Sequence, residues 1–309
     1  MTLQQLEYVV ALDSFRHFVK AADHCMVAQP TLTMQVKKLE DEIGIQLFDR
    51  NKKPLQPTAM GVHFILKARQ ILREVEQLKA FVSDDVESLS GEYSIGIIPT
   101  LAPYLLPLFL PDFILNNPDI TMVIKEMQTE QIIDNLKKGI IDIGLAATPL
   151  NDKALREVPL FYEPFLLYLP KNHALEGKSN IAANMIDTNE MLFLEEGHCF
   201  REQALNLCKI KSGKSVKGFN YESGSIEALK NLVNKEVGYT MVPELSVLNE
   251  LGNANIKRFT EPEPVREISV IAHNSFTKEA LLEHLHDSIT KNIPERFKKK
   301  NLFTRVKWR

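Results

Sequence analysis

Cysteine is scarce in this chain: Cys25, Cys199 and Cys208 are the three thiols among 309 residues. A low, odd count argues against the disulfide framework of a secreted protein. Long apolar runs are missing too, and none approaches the roughly 18 residues that would cross a bilayer. The opening MTLQQLEYVV has neither the basic region nor the apolar core of a signal peptide. These absences set the expectation of a cytoplasmic protein with no membrane partner. Excess positive charge is also absent. The net charge is −3, and residues 1–60 carry seven Lys/Arg against seven Asp/Glu, so charge balance alone gives no sign of nucleic acid. No Cys/His cluster supplies the four ligands of a structural zinc site, so no metal and no cofactor is expected.

What is present is ordinary globular composition, 44% hydrophobic and 25% charged, in a chain long enough for two or three domains. Leu3, Leu6, Val9 and Val10 recur at helical spacing, and Phe15, Phe18, Val19 and Ala22 repeat it. After HCMVAQP, a second stripe of Leu32, Val36, Leu39 and Ile43 ends at Gly44. Two short helices in tandem, the second opening at Gln29-Pro30-Thr31, form a helix-turn-helix pattern, and Pro30 suits a first helical turn. IQLFDRNKKPLQPT then reads as a small wing. Periodicity leaves Gln29, Thr31, Thr33 and Gln35 exposed to bases or phosphates, while Lys37, Lys38, Arg50, Lys52 and Lys53 suit phosphate contact. Cys25 reads as structural.

From Thr58, an expected N-cap, a helix is predicted to about Leu89. Gly61, Phe64, Ala68, Ile71, Val75, Leu78 and Val82 repeat at spacings of three and four, a coiled-coil seam. LSGEY is the expected linker. Beyond it strands alternate with helices (YSIGIIP, TMVIKEM, IDIGLAA, FLLYLP, MLFLEE and VGYTMVP among the strands), which implies mostly parallel sheets. Ligands in such sheets sit at the carboxyl ends of strands. Thr100, Thr129 and the Gly197-His198-Cys199 segment fall at such ends. The last segment, PERFKKKNLFTRVKWR, has seven basic residues and one acidic and is expected to be a frayed, solvated tail, with extra non-specific DNA affinity as the alternative.

Cys199 and Cys208 flank FREQALNL, which holds good helix formers and no Gly or Pro. Nine residues of helix amount to roughly 13.5 Å of rise and about half a turn of net rotation, whereas a disulfide needs Cα atoms within about 7 Å. A helix would therefore hold these thiols apart. Cys199 is expected at that helix's N-terminus, where partial positive charge favours the thiolate, with His198 and Arg201 as neighbours that add to it.

The whole chain resembles a LysR-type transcriptional regulator. FVKAADHCMVAQPTLTMQVKKLEDEIGIQLFDR carries the family's winged helix-turn-helix motif, with Ala28 and Thr33 where serine is common. IPTLAPYLLP, EGHCFREQALNLC and EPEPVREI resemble the peroxide-sensing members. The resemblance implies an α/β regulatory domain of two subdomains, periplasmic-binding-protein-like, preceded by an α-helical winged helix-turn-helix and a long dimerisation helix. The expected divisions are 1–57 for the DNA-binding domain, 58–91 for the linker helix and 92–300 for the regulatory domain. Its subdomain I takes about 92–162 and 268–300, and subdomain II about 163–267; 301–309 form a basic tail.

For the chemistry it implies Cys199 as peroxidatic and Cys208 as resolving thiol. It further implies Thr100 and Thr129 as peroxide ligands, and Arg266 closing on the site to help hold the thiolate. The partners it implies are promoter DNA, RNA polymerase, hydrogen peroxide, a thiol reductant such as a glutaredoxin system, and self. Self-association as a dimer, and a tetramer on DNA, would use Ile226, Leu229, Leu232 and Val233. The alternatives are a regulator that binds a small metabolite between the subdomains, and a thiol peroxidase; the DNA-reading N-terminus argues against an enzyme.

Overall fold

The computed structural model describes residues 1–82, 89–209, 221, 223–298 and 303–308. The chain divides into two compact units, residues 1–86 and 87–309. Among the described residues, no helix is long and apolar enough to cross a membrane, and no group of three His, Cys, Asp or Glu is placed to hold a metal ion.

The first unit packs α1 (Leu3–Phe15), α2 (Phe18–His24) and α3 (Gln29–Ile43) around Leu6, Val9, Leu12, Leu32, Val36 and Leu39. A capping box from Thr2 and Gln5 starts α1, satisfying two amides that a helix start leaves open. Gly44, at φ +72°, ends α3 in the left-handed conformation. A two-stranded wing, β1 (Phe48–Asp49) against β2 (Gln56–Pro57), leads into α4 (Ala59–Val82). The Thr58 hydroxyl accepts from the Gly61 amide and so caps that helix. The expected seam is divided. Gly61 and Ala68 are buried in their own unit, and a Cβ on Gly61 would lie 2.0 Å from the Leu47 carbonyl oxygen. Ile71 and Leu78, 41% and 65% exposed, are outward. The first three turns of α4 thus complete the core of the three preceding helices. Residues 83–88 of the expected helix lie outside the described residues.

The second unit is built on two long strands, β6 (Leu155–Tyr168) and β11 (Glu263–His273), antiparallel to each other. On one side of them lie β3 (Gly91–Ile97), β4 (Ile120–Glu126) and β5 (Ile143–Thr148), in the order β4-β3-β5-β11. With α5 (Ala102–Asn116), α6 (Thr129–Lys138) and α9 (Glu279–Asn292) they make the first lobe. The second lobe gathers β7 (Asn180–Ile181), β8 (Met191–Leu192), β9 (Tyr239–Pro243) and β10 (Ile256–Phe259) around the end of β6, with α7 (Cys199–Cys208) and α8 (Ile226–Val233). Each lobe has its own apolar cluster. The expectation of mostly parallel sheets holds for β3 with β4 and β5. It fails where strands meet β6, whose partners β9, β10 and β11 all run antiparallel to it, because β6 and β11 carry the chain between lobes in opposite directions.

Two further expectations are corrected. On α8, Ile226, Leu229 and Val233 are buried in the cluster of their own lobe and Leu232 packs against it. An amphipathic helix turns its apolar stripe to its own core, so the outward residues are Glu227, Asn231 and, beyond the helix, Asn234, Lys235 and Glu236. Within the C-terminal segment, residues 303–308 are not frayed. β12 (Phe303–Arg305) pairs in parallel with β11 where β5 has ended, and Val306 and Trp308 are buried. In Arg305-Val306-Lys307-Trp308, basic and apolar residues alternate with the period of a half-buried strand.

Candidate functional site

Helix α7 forms as its sequence requires, with His198 at its N-cap and Lys209 at its C-cap. Cys199 and Cys208 are therefore its first and last residues, and both thiols are free. Cys199 is 3% exposed and belongs to the apolar cluster of the first lobe, whereas the next residue, Phe200, belongs to that of the second. The start of α7 is thus the point at which the second lobe plugs into the first. Gly197 makes the approach feasible: at φ +92° it lies so near α6 that a Cβ would meet Gln128 Oε1 at 2.5 Å.

Burial pushes the Cys199 thiol pKa up. The Thr129 hydroxyl, then the Arg266 guanidinium and the amides of Phe200 and Ala147, pull it down without cancelling burial. Enclosure thus opposes the thiolate that the helix N-terminus was expected to favour, while the Phe200 amide at that terminus, with the other polar neighbours, acts in its favour. Thr129 is 1% exposed, and its hydroxyl faces the sulfur without completing a full hydrogen bond.

Arg266 is fully buried. Its Nε donates to Glu163 Oε2 at 2.8 Å, and its Nη1 and Nη2 donate to the Thr100 hydroxyl and carbonyl oxygens at 2.8 and 3.0 Å. Its guanidinium carbon also lies 5.3 Å from the centre of the Phe200 ring. Arg266 already lies at the site in this structure, held there by Glu163. Glu163 went unnoticed in the sequence, its partner lying 103 residues away; it also accepts from the Leu245 amide.

His198 and Arg201 are placed otherwise than expected. His198 Nε2 lies 3.4 Å from Glu195 Oε1. Arg201 donates to the Leu194 carbonyl at 2.7 Å and lies over the Phe193 ring. Both side chains secure the loop before α7. Cys208 is half-buried, and burial pushes its pKa up to about 11. Cys25 caps α2 and packs against the core of the first unit, with its pKa raised by burial.

In the first unit α3 presents Gln29, Pro30, Thr31, Lys37 and Lys38 as exposed residues. Thr33 is half-exposed and accepts from Gln29 Nε2 at 3.0 Å. Gln35 accepts from Gln5 of α1 and is half-buried, so its outward face is smaller than periodicity implied. Arg50 is exposed as well, with its Nη2 donating to Glu40 Oε2 at 2.8 Å and its guanidinium over Phe18. Lys52 donates to Gln56, and Lys52 and Lys53 remain exposed. Met34, 61% exposed on the same helix, was missed, since the apolar stripe passes it by.

Two family models match this chain. The bacterial regulatory helix-turn-helix model of the lysR family covers residues 3–62, and the LysR substrate binding domain covers residues 87–293. The hydrogen peroxide-inducible genes activator of Haemophilus influenzae is 39% identical over 88% of this chain and 90% of its own length. Full-length OxyR from Pseudomonas aeruginosa superposes with a TM-score of 0.84 at 30% identity, covering 97% of this chain and 98% of that one. A hydrogen peroxide-bound mutant of OxyR from Corynebacterium glutamicum follows the fold over 94% of this chain and 92% of its own, with a TM-score of 0.62 at 26% identity. With both its helix-turn-helix and its two-lobed unit matched, the chain belongs to the LysR family of bacterial regulators.

Proposed function

We propose that the chain is a DNA-binding transcriptional regulator that senses hydrogen peroxide through reversible disulfide formation between Cys199 and Cys208. The observation that carries this reading is one helix with a thiol at each end. The first thiol is buried between the lobes and faced by Thr129 and Arg266; the second is half-buried. Similarity to peroxide-responsive activators and to a peroxide-bound structure supports it.

Peroxide enters beside Cys199. The Thr100 hydroxyl accepts from Arg266, so its own proton is free to donate to one peroxide oxygen. The Thr129 hydroxyl holds the other in line for attack. The Cys199 thiolate attacks that oxygen, the O–O bond breaks, and the departing hydroxide takes up a proton to leave as water. Cys199 becomes a sulfenic acid. The Cys208 thiolate then attacks the sulfenic sulfur, the S–O bond breaks, and a second water leaves. Two thiols and one peroxide thus give one disulfide and two waters.

The second attack needs the sulfurs brought to roughly 3–3.5 Å, and the bridge needs Cα atoms within about 7 Å, so α7 must unwind first. One covalent bond is thereby converted into a change of backbone structure. Two-state elements of this kind drive redox switching, and a thiol reductant such as a glutaredoxin system reverses it. The output is altered spacing of paired helix-turn-helix units on promoter DNA and altered contact with RNA polymerase, in a dimer or tetramer joined through α4 and the regulatory units. Within this scheme residues 1–57 read DNA, 58–91 join subunits and 92–300 sense.

Differential thiol labelling with mass spectrometry, before and after one equivalent of hydrogen peroxide, tests the proposal. The expected result is loss of free Cys199 and Cys208 together, a linked peptide containing both, and Cys25 still alkylatable. Both thiols remaining free at tenfold excess peroxide would overturn it.

A further inference from the structure

The C-terminal segment of this chain lies on the helix that the switch has to unwind. Gln203, fully buried on α7, donates from Nε2 to the Val306 carbonyl at 2.9 Å, and one turn later Asn206 donates from Nδ2 to the Lys307 carbonyl at 2.8 Å. The segment is itself anchored at several points. β12 pairs with β11 at Glu263, Pro264 and Val265, and the Val306 amide donates to the Val265 carbonyl at 2.9 Å. Arg305 Nη1 reaches both oxygens of the nearly buried Glu267 at 2.9 Å. Val306 is buried in the apolar cluster of the second lobe and Trp308 in that of the first.

We infer that residues 303–308 form a strap that holds α7 in its folded, reduced state and so sets how readily the Cys199–Cys208 bridge forms. This rests on the disulfide reading above. Asn206 and Gln203 touch neither sulfur nor peroxide in the scheme above and are positioning residues. Unwinding α7 separates their amides from the two carbonyls, and the Gln203 amide, in a site without solvent, would lose its acceptor. The strap is fixed to β11 and to both clusters, so it does not follow the helix. Without it, the helix is held by its own hydrogen bonds and its packing on the second lobe alone.

The test uses the full chain and two variants, one ending at Lys298 and Asn206→Ala. Two quantities are read: the rate at which the sulfenic acid converts to disulfide, trapped with a sulfenic-specific probe, and the midpoint potential of the thiol pair in glutathione buffers. Both variants are expected to form the bridge about tenfold faster. The midpoint moves to more reducing potential by about 30 mV, a tenfold change for a two-electron couple. Asn206→Ala separates the strap from local helix stability, because alanine is the better helix former. A purely local effect would slow the bridge, whereas release from the strap speeds it. An unchanged or slower rate in Asn206→Ala overturns the inference and leaves the disulfide reading intact, even if the shortened chain misfolds. Failure of the unaltered chain to form the bridge overturns both.

Discussion

Glu163 and Arg266 face each other in register on β6 and β11, joined by a 2.7 Å ion pair with neither side chain exposed. The pair sits where both strands pass between lobes, and its guanidinium holds Thr100 by side chain and backbone. Removing one partner of a buried pair leaves an uncompensated charge, at a cost of about 3–5 kcal/mol. Glu163→Ala should therefore lose stability of that order in urea unfolding. It should also slow reaction with peroxide, since the group that orients Thr100 is no longer fixed.

Thr129→Val should separate chemistry from stability. The hydroxyl it removes has no full hydrogen-bond partner, so folding stability should change little. That hydroxyl is nonetheless the largest of the groups that lower the Cys199 pKa. A hydrogen bond to a charged group contributes about 1.5–3 kcal/mol, so stopped-flow rates with peroxide should fall by roughly 10- to 150-fold.

The pH dependence of Cys208 reports whether unwinding precedes bridge formation. In the folded helix its pKa is raised by burial to about 11, so its thiolate grows with pH up to that value and is scarce at neutrality. Alkylation of Cys208 in the reduced protein should follow this curve. Sulfenic-to-disulfide conversion needs α7 unwound, where Cys208 is solvated and titrates near the ordinary value of about 8.5. That rate should rise with pH and level off near 8.5–9; a rise continuing to 11 would mean attack from the intact helix.

On the DNA side, Lys37 and Lys38 are exposed, whereas Arg50 is held by Glu40, which also accepts from the Leu47 and Phe48 amides. Lys37→Ala with Lys38→Ala should leave thermal stability unchanged and reduce the salt slope of DNA binding by about 2, near 0.9 for each phosphate no longer neutralised. Glu40→Ala strips the acceptor from two buried amides. It should cost about 1–3 kcal/mol of stability for each amide left unpaired, read as faster hydrogen exchange in residues 1–82.

Local pattern determined a good part of this molecule. The stripe Leu32, Val36, Leu39 with Gly44 behind it suffices for α3 and its end, since periodicity and a left-handed glycine are properties of neighbouring residues. FREQALNL suffices for α7 in the same way, and so for the separation of the two thiols. Long-range pairing decided the rest. β6 begins ten residues before the apolar run FLLYLP, behind Pro159 and Pro164, and prolines mask a strand whose partners are distant. Glu163 finds Arg266 across 103 residues and Gln203 finds Val306 across the same separation. The enclosure of Cys199 follows from packing between two lobes rather than from its place on a helix. The helix is written in its own residues; what holds it shut, and what would let it open, is decided by chain segments that only folding brings alongside it.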